Sequence, residues 1–406
     1  VKAINGLKLR GSWGLTGSQG IGPYGTLSTY VTNTDDAGVV FNGKGGVVNG
    51  ILLGNPGNPN LKWETTEQTN FGVDIGLWND RLMFFGDYFV KNTRDLLMLR
   101  GLPGYIGGYS IQSNIGQISN KGFEFALSAT PLAHRNFQWN TSFNLSLLEN
   151  KVVSLGSDRD TIPANENVLI PGYSMNSFWG YRYLGTWKPY QADEAARYGL
   201  RPGDPRYEDV DGNGIIDESD YRIIGNGIPR TTLGWNNTIR YKQLTFSVFF
   251  QGVFGFDKLN YTYANGMIGS TDARQIIFAD IKDRYIPGVN ETSDIPAFQP
   301  NGVANYSTII QSSRFMEKGD FIRLKNISLS YSLAKDKLRH IGGAQVSFSA
   351  ANLFTITKYK GIDPETNSAA VSGLTWENLV TDVQQGIDFG SYPNAKTFTL
   401  GINLTF

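Results

Sequence analysis

Asp209-Val210-Asp211-Gly212-Asn213-Gly214-Ile215-Ile216-Asp217-Glu218-Ser219-Asp220 is the stretch of this chain whose residue types and spacing specify a chemistry most closely. Oxygen-bearing side chains fall at positions 1, 3, 5, 9 and 12 of a twelve-residue loop: Asp209, Asp211, Asn213, Asp217 and Asp220. Gly214 stands at the sharp turn, and Ile215 would offer its backbone carbonyl. Such an all-oxygen set suits Ca²⁺, a hard cation. Position 12 is Asp rather than Glu, and the shorter carboxylate reaches less easily as a bidentate ligand. Weaker binding or a different geometry is therefore expected. The alternative is a stack of Asx turns with no metal. Either way the role is structural, pinning a long loop.

Catalytic chemistry is poorly represented. The two histidines, His134 and His340, stand in short turns beside basic residues, where a surface side chain is the simpler reading than a base or ligand. No serine nucleophile elbow and no His-x-x-x-His pair occurs. Carboxylates are scattered, and nothing selects a glycosidase-like pair. The expectation is no enzyme. Loop aromatics such as Tyr105, Tyr109, Trp179, Tyr181 and Tyr183 suit either stacking on a sugar ring or packing of the loops together, with packing favoured. The Gly-rich run 43–50 has no Lys-Ser/Thr at Walker spacing and reads as a loop tip.

The elements that must position these residues are strands. Phe398, Leu400, Ile402, Leu404 and Phe406 alternate with Thr397, Thr399, Gly401, Asn403 and Thr405. A strand puts these two sets on opposite faces. The pattern recurs in 1–16, 71–77, 82–90, 123–128, 137–147, 233–241, 244–250, 318–333 and 346–350. In 318–333 the alternation slips between Leu324 and Ile327, which predicts a bulge. Short links near 79–81, 131–136, 241–243 and 334–341 alternate with long ones near 16–66, 94–118, 151–229, 255–317 and 352–394. That asymmetry is the signature of an all-β, antiparallel transmembrane β-barrel wall of about ten strands, with long extracellular loops and a periplasmic carboxyl terminus. The 151–228 loop carries the Ca²⁺-like motif 209–220. A strand or hairpin is expected within 177–187, and short helices within 193–198, 273–285 and 376–385. Aromatics near strand ends, among them Trp13, Trp78, Trp139, Trp235, Tyr241 and Tyr331, fit membrane-interface girdles.

Bulk composition agrees. Lys plus Arg total 36 against 36 Asp plus Glu, so no nucleic-acid partner is implied. Cys is absent, which excludes disulfides and thiolate metal sites. No apolar run approaches the roughly 18 to 20 residues of a membrane helix. The 406 residues open without a signal peptide, on the lead-in to a strand, as expected of a mature protein or a piece of a longer one.

Several segments, in order, resemble the SusC/RagA family of TonB-dependent outer-membrane transporters. They are Leu7 to Gly17 (LKLRGSWGLTG), Asn58 to Glu64 (NPNLKWE), Asn114-Ile115-Gly116 with Asn120 to Glu124 (NKGFE), and Phe178 to Tyr181 (FWGY). Phe315 to Ile327 (FMEKGDFIRLKNI), Asn352-Leu353-Phe354 and Ser391 to Thr397 (SYPNAKT) follow. The resemblance covers essentially the whole chain. It implies part of a 22-stranded barrel whose plug and amino-terminal strands are not in this sequence, a TonB complex acting through that other part, and a SusD-like surface lipoprotein as cap. It also implies import of a large nutrient, oligosaccharide or peptide, with this chain as barrel wall and outer loops in outer-membrane lipid. The terminal aromatic is similar to a barrel-assembly signal. The first strand and the last are then each expected to pair on one side only within this chain. Two other readings compete: a self-contained ten-strand barrel, porin or enzyme, and a soluble Ca²⁺-stabilised adhesin. The first requires the terminal strands to pair with each other. The second requires both faces of the sheet to be packed.

Overall fold

A computed structural model describes residues 3–32, 38–40, 47–54, 56–102, 105, 109–156, 161–164, 166–267, 277–297, 310–333, 342–367 and 385–405. Its frame is one ten-stranded sheet in which every strand is antiparallel to the next in sequence. The strands are β1 (Ile4–Ser18), β2 (Glu64–Leu77), β3 (Leu82–Arg94), β4 (Gln117–His134), β5 (Phe137–Ser154), β6 (Thr231–Tyr241), β7 (Leu244–Phe254), β8 (Phe321–Leu333), β9 (Gly343–Thr357) and β10 (Thr397–Thr405). All ten expected strands are present. Among the described residues β1 pairs only with β2 and β10 only with β9, so the sheet is open at both edges. The terminal strands do not pair with each other, which speaks against a self-contained barrel.

The register shows why alternation was the right signal. One row crosses nine strands as Leu9, Val73, Gly86, Phe125, Leu145, Leu233, Gly252, Ile322 and Ile356. The adjacent row, on the other face, runs Arg10, Gly72, Asp87, Glu124, Ser146 and Thr232, then Val253 and Phe321. It turns apolar only where Val253 and Phe321 are buried with Phe256 of the loop that follows β7. On the apolar face the indole N–H groups find partners across the strands. Trp139 Nε1 donates to Asn237 Oδ1 at 3.1 Å, and Trp235 Nε1 to Thr141 Oγ1 at 3.1 Å. In hydrocarbon an unmet donor would cost several kcal/mol, so these pairs let tryptophan face lipid. On the polar face Arg10 is held by Asp74 at 2.7 Å and Asp87 at 2.8 Å. Gly72 makes room for it: a Cβ there would lie 2.8 Å from Arg10 Cζ.

The links divide into two rims. Trp78–Arg81, Arg135–Asn136 and Lys242–Gln243 form tight turns. The fourth short link, with His340, lies outside the described residues, as does Phe406. The long links fold over the opposite rim into a layer with its own sheets. Ile162–Ala164, Asn167–Leu169, Ser177–Gly180 and Arg222–Asn226 make four strands. Tyr183–Thr186 pairs with Pro205–Tyr207. Asp257–Asn260 lies between Met316–Lys318 and Ile387–Asp388, the latter parallel to it. Its core joins Phe178, Leu259, Ala264, Met267, Ile310, Phe315 and Ile387.

Segment 177–187 is thus not a hairpin. Its two strands pair with different sheets, because Gly180 admits the backbone of Gln311, whose C atom lies 2.8 Å from where a Cβ would be. Tyr181 N and O then bond to Gln311 O and Ser313 N. A helix forms at Ala192–Arg197 and a short 3-10 helix at Ala279–Asp283. Residues 376–384 of the third helical segment and 43–46 of the Gly-rich run lie outside the described residues. The bulge stands between Leu324 and Asn326.

Candidate functional site in the loop layer

The acidic loop folds around its own backbone. Asp209 accepts from Gly212 N at 2.8 Å and Gly214 N at 2.9 Å, and from the Tyr198 hydroxyl at 3.1 Å. Gly212 and Gly214 sit at φ +72° and +80°, a backbone region in which side chains are strained. Asp211 accepts from Asn213 N, Asn213 Nδ2 and Ser219 Oγ. Asp220 is fully buried and accepts from Val210 N at 2.7 Å and Asp217 N at 3.0 Å. Oxygens of Asp209, Asp211 and Asp220 come within 4.8 Å of one another. Asp217 stands apart from that trio: its carboxylate caps Ser219 N at 2.9 Å. Asn213 Oδ1 receives Ile215 N at 2.7 Å. Partial desolvation raises the Asp209 carboxyl, but the N–H groups of Gly214 and Gly212 outweigh it and hold the group below the usual range. Three converging carboxylates, each with lone pairs to spare, fit a hard divalent cation. Position 9 of such loops often reaches its ion through water, which accommodates Asp217.

A second cluster anchors the layer to the wall. Arg323, at the loop-layer end of β8, is 3% exposed. It pairs with Asp363 and, at 2.6 Å, with Glu365, while Lys325 also holds Glu365. Asp363 Oδ2 accepts from Asn394 N at 2.9 Å. The Lys258 ammonium, buried beneath the Tyr359 ring, donates to the carbonyls of Asp363, Pro364 and Thr366. Burial pushes it down to about 8 despite nearby Asp388 and Asp363. The partners are 31 to 108 residues apart in sequence, so no local signal marked them. Both stems of the 358–396 link are tied by these bonds.

Of the loop aromatics singled out, Trp179, Tyr181 and Tyr183 pack together with their neighbours as expected. Trp179, Tyr181, Tyr207 and Tyr221 meet edge-on or tilted, with centroids 4.6 to 5.2 Å apart. Tyr105 alone of those singled out is strongly exposed, at 88%. Below the layer, the polar face of the wall holds a cavity of about 510 Å³ lined by Asp87, Glu124, Asn144, Ser146, Thr232 and Gln251 between Phe85 and Phe249.

An antiparallel sheet with a lipid-suited face, a polar face, one rim of tight turns and one rim of folded loops is the wall of an outer-membrane-type β-barrel. The family described as "TonB dependent receptor-like, beta-barrel" matches residues 1–251, and the chain belongs to that family of outer-membrane proteins. It is 36% identical over 419 residues to TonB-dependent receptor P3 of Formosa agariphila, covering 98% of this chain and 39% of the relative. It is 30% identical over 425 residues to TonB-dependent receptor SusC of Bacteroides thetaiotaomicron, covering 100% of this chain and 38% of the relative. Among solved structures it is similar to the RagAB peptide transporter, with TM-score 0.80, 24% identity, 100% of this chain and 41% of that chain covered. The chain thus spans about two fifths of the length of these relatives. These relatives are receptors and transporters rather than enzymes.

Proposed function

We propose that this chain is the wall-and-loop part of a TonB-dependent importer of SusC/RagA type. It takes up a nutrient too large for porins, an oligosaccharide or a peptide, with a SusD-like lipoprotein over the loops. The observation that carries this reading is the open sheet. Two unpaired strand edges in hydrocarbon are prohibitive, so β1 and β10 must meet further strands to close a barrel. The tight turns face the periplasm and the folded loops face outward, where they meet the ligand first. In this reading the 209–220 loop binds Ca²⁺ structurally, and TonB acts through the part of the receptor that holds the plug.

The test is the intact mass of the native-membrane protein and of its copurifying partners. A polypeptide well above 44.8 kDa together with a lipoprotein is the expected outcome. A lone 44.8 kDa species without a companion would overturn the proposal.

A further inference from the structure

Arg314 is a cation without an anion. It stands in the 3-10 turn Ser313–Phe315, in the middle of the loop layer. Its guanidinium lies 4.6 Å from the Phe315 ring centroid and 5.7 Å from that of Tyr183. The phenols of Tyr183, Tyr207 and Tyr263 are near enough to act on its charge. Among the described residues no carboxylate pairs with it, and no acceptor takes any of its N–H groups. Desolvation disfavours its charge, and these phenols only partly offset that.

The phenols are committed elsewhere or unmatched. Tyr183 donates to Asp294 O, and Tyr263 to Asp280 Oδ2 at 2.6 Å. Tyr207 is 8% exposed; its hydroxyl faces Ser312 but makes no hydrogen bond of acceptable geometry. Buried polar groups are normally satisfied, and an unmatched one asks for an explanation. The turn is tied to its neighbours. Ser313 N donates to Tyr181 O at 2.9 Å, Ser313 Oγ accepts from Tyr183 N at 2.9 Å, and Phe315 is 1% exposed in the core. Arg314 itself keeps part of its surface open.

A guanidinium stacked on ring faces keeps its in-plane N–H edges free, and those edges match a carboxylate bidentately. We propose that Arg314 receives the carboxylate of an acidic ligand captured by the loop layer. This rests on the import reading, in which the outer loops meet the ligand, and adds that the ligand carries negative charge.

The experiment is calorimetric titration of the whole receptor, with any copurifying lipoprotein, in detergent. The probes are trigalacturonate and its fully methyl-esterified form. The acid is expected to bind at least tenfold more tightly than the ester. Arg314→Gln abolishes that preference. Arg314→Lys restores part of it, since an ammonium keeps the charge but not the fork. Equal binding of the two probes, no binding of the acid, or a preference that survives Arg314→Gln would each overturn the assignment. The titration needs no TonB. Failure here therefore leaves the import reading standing, whereas a lone polypeptide in native membranes defeats import without reference to Arg314.

Discussion

The wall and the loop layer of this chain are built for different solvents. Along β1 and β10 nearly every residue is exposed on both faces. The wall's apolar residues, such as Leu9 at 76% and Leu400 at 72% exposure, have lipid as their intended partner. The loop layer is the reverse. It buries Val168, Phe178, Leu259 and Phe315 as a water-soluble domain does, and with them Asn167, Lys258, Asp220 and Asp388. The wall therefore owes its stability to backbone pairing and to the bilayer. The layer owes its own to side-chain packing and to buried charge pairs. Two regions of one chain should then respond to different perturbations.

The largest separation should come from Arg323→Ala. Removing one member of a buried pair leaves the other uncompensated and costs about 3 to 5 kcal/mol. Asp363 and Glu365 would lose their cation, and the stems at 358–367 and 385–396 should open. Hydrogen exchange of those stems is expected to rise steeply while β1–β7 amides stay protected. One shared transition for stems and wall would show that the two regions are a single cooperative unit. Acid probes the same joint. Burial raises the Asp363 carboxyl, but Arg323 and the Asn394 N–H outweigh it, so its folded value lies below its unfolded one. The contribution is then full above the ordinary carboxylate range and is lost as pH falls through the lowered value, below about pH 4. Stem exchange should accelerate there first.

A smaller effect separates the two faces of the wall. Phe143 and Asn144 are neighbours in β5, one in line with Trp235 on the apolar face and the other lining the polar-face cavity. Phe143→Arg in the full receptor should cost about 2 to 4 kcal/mol of folding into vesicles, as lipid-face arginines near the midplane do. Asn144→Arg should stay within about 1 kcal/mol. Equal costs at both sites would remove the assignment of lipid and lumen to the two faces.

The same division explains what could be read in advance. Alternation in Phe398 to Leu404 located a strand and both its faces, because a wall strand answers only to its pleat and its solvent. The slip at Leu324 was visible for the same reason. The pairing of Asp257–Asn260 with Ile387–Asp388 was not visible. Those partners are short, carry no alternation and meet across 128 residues of sequence. Ser177 to Trp187 reads as a strand or hairpin, but Gly180 lets a distant backbone divide it between two sheets. The convergence of Asp209, Asp211 and Asp220 was legible because the acidic spacing is local. Arg314 and Arg323 were not, because an arginine's burial is set by whatever folds over it.

The mildest perturbation concerns that legible loop. Asp209, Asp211 and Asp220 converge, while Asp217 only caps the next turn. If Ca²⁺ sits among the three, chelation should expose 205–222 to protease, and Asp209→Ala should do so even with Ca²⁺ present, leaving the wall intact. Sites of this kind in extracellular modules hold Ca²⁺ at about 10⁻⁴ to 10⁻³ M, and Asp at position 12 places this loop at the weak end. Asp217→Ala should cost only its cap, about 1 kcal/mol, and leave the Ca²⁺ dependence in place. The Asp209 carboxyl is held below its ordinary value, so protection should persist down to the carboxylate range and fade beneath it. An unchanged cleavage pattern with and without Ca²⁺ would reduce the motif to Asx turns. The layer would then be held by its packing and its buried pairs, with no part played by metal.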